Sequence, residues 1–241
     1  TGAEAPIILN NAPQKGWCTF RARPGDILNI GPVKSGCRCY VAVTGGIDVP
    51  LVMGSRSCYV AARIGGYEGR ALAKGDLLQR AEGRLLPQMR QVPALVIPRY
   101  APEINLRAVP GPQDDFFDEG MELFYRAVFT VSINANRMGY RLEGQEVHQK
   151  KEMPKSIISE PSLPGGVQIP PDGQPIILLV EQTVGGYTKI ATVISADLPL
   201  VAQAKPGDTV RFSKVALEEA YAAARKQEEE LRKLRPEAGS F

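Results

Sequence analysis

The sequence predicts a mainly β fold closed by a C-terminal helix. Three observations carry that expectation. Short apolar runs of strand length recur between Pro/Gly turns along most of the 241 residues. Strong helix formers are concentrated in one late segment, Val215 to Leu234. A Gly-Asp turn that launches a strand appears three times, and two of the three follow a strand ending in Gly-Gly, which points to an internal duplication of a β-unit.

The stretch around which the chain is organised is Gly173 to Ile190. Gln174 to Val180 is an apolar run opened by Asp172-Gly173 and Pro175, and it reads as a buried strand. Glu181 and Gln182 place polar groups where the run ends, and Gly185-Gly186, Tyr187 and Lys189 follow. Glycine permits positive φ and close backbone approach. The stretch reads either as a hairpin with a double-glycine turn or as the edge of a site for a small polar ligand.

In chain order, Ile7 to Leu9 reads as a short strand among the breakers Asn10, Asn11 and Pro13, with Trp17 and Phe20 as packing residues. Arg23-Pro24-Gly25-Asp26 is a turn into Ile27 to Ile30, and the same unit recurs at Lys74-Gly75-Asp76-Leu77-Leu78 and at Lys205 to Phe212. Ser35 to Val43 is a strand-like run with Arg38 and Tyr40 on the face opposite Cys37 and Cys39. The Gly54-Ser55-Arg56-Ser57 loop is either an anion site built from backbone N–H groups and Arg56 or a plain turn. Arg80 to Pro98, with Pro87, Pro93 and Pro98, is the expected domain boundary, which divides the chain into residues 1–90, 91–214 and 215–241. Ile104 to Val109 and Phe129 to Ile133 read as strands, and Phe116 to Phe124 as a short helix. Arg137 and Arg141, beside Tyr140, either clamp a carboxylate or phosphate or pair with Glu143 and Glu146. Gln168 lies on a short strand within Pro164 to Asp172.

Composition excludes several classes. A net charge of +3 is too small to argue for nucleic acid or an anionic membrane, and no apolar run approaches the ~18 residues of a span. The four cysteines, with no Cys-x-x-Cys pair and one histidine, argue against a zinc site and point to a reducing, cytoplasmic compartment. His148, in a charged stretch, reads as a solvated loop residue. No Walker-type phosphate loop occurs.

Ser35-Gly36-x-Arg38-x-Tyr40, Gly45-Gly46-Ile47, Leu51 to Ser57, Asn136 to Gly144 and the run from Gly166 to Phe212 together resemble the allophanate hydrolase subunit 2 family. This family is also known as the KipA-like, 5-oxoprolinase-subunit or biotin-dependent carboxyltransferase family. The resemblance implies tandem cyclophilin-like β-barrels, the first incomplete because the family's Gln-Asp-x-Gly-Arg segment does not precede this sequence. Ser57-Cys58-Tyr59 departs from the family's Ser-Thr-Tyr. The implied activity is that of a subunit of a prokaryotic ATP-dependent 5-oxoprolinase, working with a KipI-like and a LamB/YcsF-like chain. The alternatives are the carboxyltransferase of a biotin-dependent urea carboxylase, or a non-catalytic antagonist of a kinase-inhibitor protein. No Ala-Met-Lys-Met biotinylation motif occurs, so biotin would come from elsewhere.

For lactam opening the expected catalytic residues are Gln182, Tyr187 and Lys189, with Lys189 stabilising charge. Gly185, Gly186 and Gln182 are the expected oxyanion donors, and Arg137 or Arg56 the carboxylate clamp. Arg38, Tyr40, Ser55, Tyr140 and Gln168 complete the expected substrate-binding set. No metal is expected.

Overall fold

The computed structural model describes residues 1–181 and 184–234. The first half holds five short strands: β1 (Gly2–Glu4), β2 (Ile7–Leu9), β3 (Ala12–Gln14), β4 (Leu28–Ile30) and β5 (Ser35–Cys39). They form a β1-β5 pair and a β3-β2-β4 sheet, both antiparallel. The second half holds β6 (Glu103–Pro110), α1 (Glu119–Arg126), β7 (Phe129–Val131), β8 (Gly139–Glu143), β9 (Ser156–Pro161), β10 (Gly166–Ile169), β11 (Ile176–Leu178), β12 (Val184–Val193), α2 (Leu198–Gln203) and β13 (Thr209–Lys214). The helix α3 (Leu217–Leu234) follows.

Seven of these strands close into a barrel in the order β10-β11-β8-β7-β13-β6-β12, because β12 pairs both with β6 and with β10. Among the described strands only the β13–β6 pair is parallel. Closure leaves no edge within the ring, and β9 joins from outside by pairing with the N-terminal end of β12. The core lies here: Leu106, Phe129, Leu142, Val167, Ile169, Ile190 and Val193 are all buried. α1 seats Phe124 against Phe212 and Phe129, at centroid distances of 4.3 and 6.1 Å. The fold is mainly β with a terminal helix, as the patterning predicts. The first half presents exposed apolar side chains, among them Ile27, Leu51, Met53 and Leu77.

The three Gly-Asp units share one local geometry. Each glycine has positive φ (+88° at Gly25, +95° at Gly75, +91° at Gly207). In each, the aspartate Oδ2 accepts the N–H three residues earlier, from Arg23, Ala73 and Lys205, at 2.7, 2.6 and 2.9 Å. Gly25-Asp26 leads into β4 and Gly207-Asp208 into β13. Gly75-Asp76 makes the turn but launches no strand: Leu77 stays exposed, and Asp76 is gripped by both terminal nitrogens of Arg70 at 2.8 Å. A turn sets direction, but a strand needs a neighbour to pair with.

The double-glycine expectation also needs correction. Gly45-Gly46 is a positive-φ corner, whereas Gly185-Gly186 lies inside β12 without positive φ. The apolar run before it yields only a three-residue strand, and Val180 is exposed. The expected helix at Phe116 to Phe124 starts later, after a 3-10 turn at Asp114–Phe116. On α3, Gln227 donates to the Ala196 carbonyl at 3.2 Å, so the helix docks on the turn before α2.

Candidate functional site

β12 is the element that gathers the chemistry. Its Lys189 stands opposite Gln168 of β10, and its Gly185 stands opposite Glu160 of β9. Alternation places Gln168 and Lys189 on the face away from Ile169 and Ile190, which fill the core. Lys189 is 5% exposed, and its Nζ lies 2.6 Å from Glu160 Oε1. Gln113, in the turn after β6, fastens the same group. Its Oε1 accepts the Lys189 backbone N–H at 3.0 Å, and its Nε2 reaches Glu160 Oε1 at 3.5 Å. The Lys189 hydrogen bond and charge hold the Glu160 carboxyl below the usual range, with Gln113 adding to the effect.

Gln168 is also 5% exposed, yet its Nε2 donates to no partner among the described residues. That nitrogen points at Gly185, where a Cβ would come within 2.5 Å of it. Gly186 is tight for another reason: a Cβ there would meet the Ile157 carbonyl at 2.9 Å. The two glycines thus serve close approach rather than a corner. A buried amide nitrogen without an acceptor costs about 1–3 kcal/mol, so the recess where β9, β10 and β12 meet is the candidate site. Tyr187, partly exposed, lies at the rim where β12 meets β9. Gln182 lies outside the described residues.

The other predicted residues fall into two further groups. Arg137 Nη2 bonds Glu181 at 2.7 Å and the Cys58 carbonyl at 3.2 Å, so it ties the barrel to the first half. Its partner is Glu181, not the Glu143 or Glu146 considered from sequence, while Arg141 pairs with Asp172. In the 54–57 loop, Ser55 N–H donates to the Val52 carbonyl and Ser57 N–H to Ser55 Oγ. Arg56 Nε donates to the Val49 carbonyl, and its Nη2 lies 3.9 Å from Asp48. These donors are engaged within the first half, while the Arg56 side chain stays half exposed.

Arg38 and Tyr140 form the second group. The Arg38 Nη1 donates to Tyr140 Oη and to the Ala202 carbonyl, and its guanidinium lies 5.5 Å from the Tyr140 ring centroid. Tyr140 Oη in turn donates to the Ala204 carbonyl at 3.0 Å. Gln203 Oε1 accepts the Cys37 and Arg38 backbone N–H groups at 2.8 and 2.9 Å. Arg38 and Tyr140 therefore latch β5 onto α2 and the barrel, while Tyr40 is exposed beside Thr1. His148 contacts Glu146 at 2.9 Å on the surface. Among the described residues no cluster of three or more His, Cys, Asp or Glu side chains is placed to hold a metal ion, and no helix is long and apolar enough to cross a membrane.

Residues 1–214 match the family described as carboxyltransferase domain, subdomain A and B. The chain belongs to this family. Among its relatives, a 5-oxoprolinase subunit of Haemophilus influenzae is 38% identical over 230 residues, covering 95% of this chain and 72% of that protein. Urea amidolyase of Saccharomyces cerevisiae is 31% identical over 236 residues, covering 90% of this chain but 13% of that protein. The crystal structure of Kluyveromyces lactis urea carboxylase superposes with a TM-score of 0.89 at 28% identity, covering 98% of this chain and 23% of that one.

Within this carboxyltransferase-domain chain, sequence reasoning missed Gln113 and Glu160. Gln113 sits in a Pro-Gly-Pro turn and Glu160 is a lone acid in Ser156 to Pro161. The pairing of β9 with β12 brings Glu160 to Lys189, and the pairing of β6 with β12 brings Gln113. The one available signal was an isolated carboxylate inside a strand-like run.

Proposed function

We propose that this chain is a subunit of a prokaryotic ATP-dependent 5-oxoprolinase, opening the lactam of 5-oxoproline to glutamate together with a KipI-like partner and a LamB/YcsF-like partner. One observation carries the reading: 5-oxoprolinase subunits from two bacteria are 38% identical to this chain, which spans 72% of the length of each. The recess is chemically apt. A lactam is a neutral, unreactive amide whose carbonyl gains negative charge as it is attacked. The Lys189 ammonium and the Gln168 amide supply donors in a shielded place, where such stabilisation counts most. In this reading Arg137 exchanges its Glu181 partner for the substrate carboxylate, and Tyr187 lines the rim. The compartment is the cytoplasm.

ATP supplies activation of the amide when bound. Nucleotide binding is assigned to the assembled complex. The family likeness to urea carboxylase, strongest in the TM-score of 0.89, favours a second reading as part of a biotin-dependent carboxyltransferase. Urea and a ureido ring present the same amide chemistry to the recess. The test is reconstitution: the full chain with its partner subunits, given ATP and 5-oxoproline, releases glutamate, and omission of this chain abolishes it. Glutamate release that proceeds without the chain refutes the proposal.

A further inference from the structure

The recess has a donor with no acceptor among the described residues and a carboxylate with an open side. We propose that it reads the edge of a cis-amide, with Gln168 Nε2 donating to the carbonyl oxygen and Glu160 accepting from the adjacent N–H. This deepens the 5-oxoprolinase reading and rests on it for the natural ligand.

Three features of the geometry lead there. First, Gln168 Nε2 is buried, without a partner among the described residues, and aimed at a glycine that leaves the space beside it clear. It asks for an acceptor. Second, the Lys189 charge in the recess is already balanced, because its Nζ is 2.6 Å from Glu160. A second anion at this point would sit beside the Glu160 carboxylate, so the recess takes the neutral amide edge of its ligand and the carboxylate of 5-oxoproline lies outside it. Third, Glu160 is 44% exposed at its side chain while its Oε1 is fixed by Lys189 and Gln113, so the carboxylate is oriented yet reachable. Gln113 is the positioning residue of this arrangement. It touches the Lys189 backbone and Glu160 and sets where the acceptor stands.

A donor beside an acceptor matches an amide whose C=O and N–H lie on one edge. In a five-membered lactam the ring holds the amide cis, so the C=O and N–H project from the same edge. An open-chain trans amide sends them in opposite directions and cannot meet both. A lactone keeps the carbonyl but loses the N–H and leaves the Glu160 carboxylate facing a ring oxygen. A site built to bond a ligand N–H discriminates strongly against the analogue that lacks it.

The test uses the 15N-labelled full chain and two small probes, 2-pyrrolidinone and γ-butyrolactone, neither of which carries a carboxylate. The Gln168 side-chain amide signals are identified by their loss in Gln168→Met. With 2-pyrrolidinone they shift, and the same titration gives a Kd about tenfold or more weaker in Gln168→Met, followed at the Lys189 backbone amide. γ-Butyrolactone binds about tenfold more weakly than the lactam to the wild type, and Glu160→Ala erases that preference. Gln113→Ala, which touches neither probe, weakens the lactam preference without removing the Gln168 shift. Absence of a Gln168 shift, or equal binding of lactam and lactone by the wild type, overturns the inference. The probes also separate the two claims. A lactam preference without 5-oxoproline turnover in the complex sinks the 5-oxoprolinase reading alone. Turnover without the preference sinks the cis-amide site alone.

Discussion

Replacing Gln168 with methionine should make the protein more stable and less active. Methionine has nearly the same length and volume but no hydrogen-bonding demand, so packing between β10 and β12 is retained. The wild type buries an amide nitrogen, on a residue 5% exposed, without an acceptor among the described residues. That arrangement costs about 1–3 kcal/mol, and methionine relieves most of it. For a chain of this size each kcal/mol moves Tm by about 2–4 °C, so Gln168→Met is expected to melt roughly 2–10 °C above the wild type by calorimetry. In the assembled enzyme the same variant loses a donor to the substrate carbonyl, and turnover falls about tenfold or more. Opposite signs in stability and activity mark a site that sacrifices stability for binding. A variant that melts at or below the wild-type temperature would refute the reasoning, because it would show that the amide already has a partner in the folded chain.

Other expectations follow from the same geometry. Gly185→Ala places a methyl 2.5 Å from Gln168 Nε2, the far end of a flexible side chain, at a backbone position without positive φ. Its melting temperature should therefore correspond to a change within about 1 kcal/mol of the wild type, while kcat/KM drops as the amide is pushed aside. Tyr140→Phe removes the hydroxyl that bonds the Ala204 carbonyl and receives Arg38; denaturant unfolding should show a loss of about 1–2 kcal/mol. Arg70 holds the Asp76 carboxyl down at about 2, chiefly by hydrogen bonding, with the Ala73 N–H adding to it. The unfolded value is about 3.9, so this pair's contribution is complete above that value and disappears as pH falls toward 2. The Asp76 carboxyl 13C shift should titrate near 2, and Asp76→Asn should flatten the local pH dependence across that window. Glu160 is likewise depressed, through Lys189; the lactam preference should persist below the ordinary glutamate range and fade only at lower pH.

Much of the barrel was legible because its strands carry local signatures. The Pro-Gly-Asp turn before β13 predicts its start, and the helix formers of α3 predict a helix found at Leu217–Leu234. Lys74-Gly75-Asp76 shows the limit: the turn forms from local chemistry, but whether a strand follows depends on a neighbour that no local pattern reveals. The site was partly legible. Lys189 and Gln168 were named from strand positions, and the structure puts them opposite one another. Gly185-Gly186 was named for a corner or for close approach, and only close approach holds, since a glycine pair looks the same in sequence for either. Glu160 and Gln113 were invisible because long-range register decides their place. Arg38 and Tyr140 were named as substrate-binding from sequence; in the structure they bond each other and the backbone around α2.

The most direct test of the central claim compares two substrates in one assembly. The chain, co-expressed with its partner subunits, is supplied with ATP and either 5-oxoproline or urea with bicarbonate and biotin, and ADP release is followed. ADP release stimulated by 5-oxoproline, matched by glutamate and lost in Gln168→Met, is the predicted result. Stimulation by urea and biotin, with 5-oxoproline inert, would contradict it and assign the chain to carboxyl transfer.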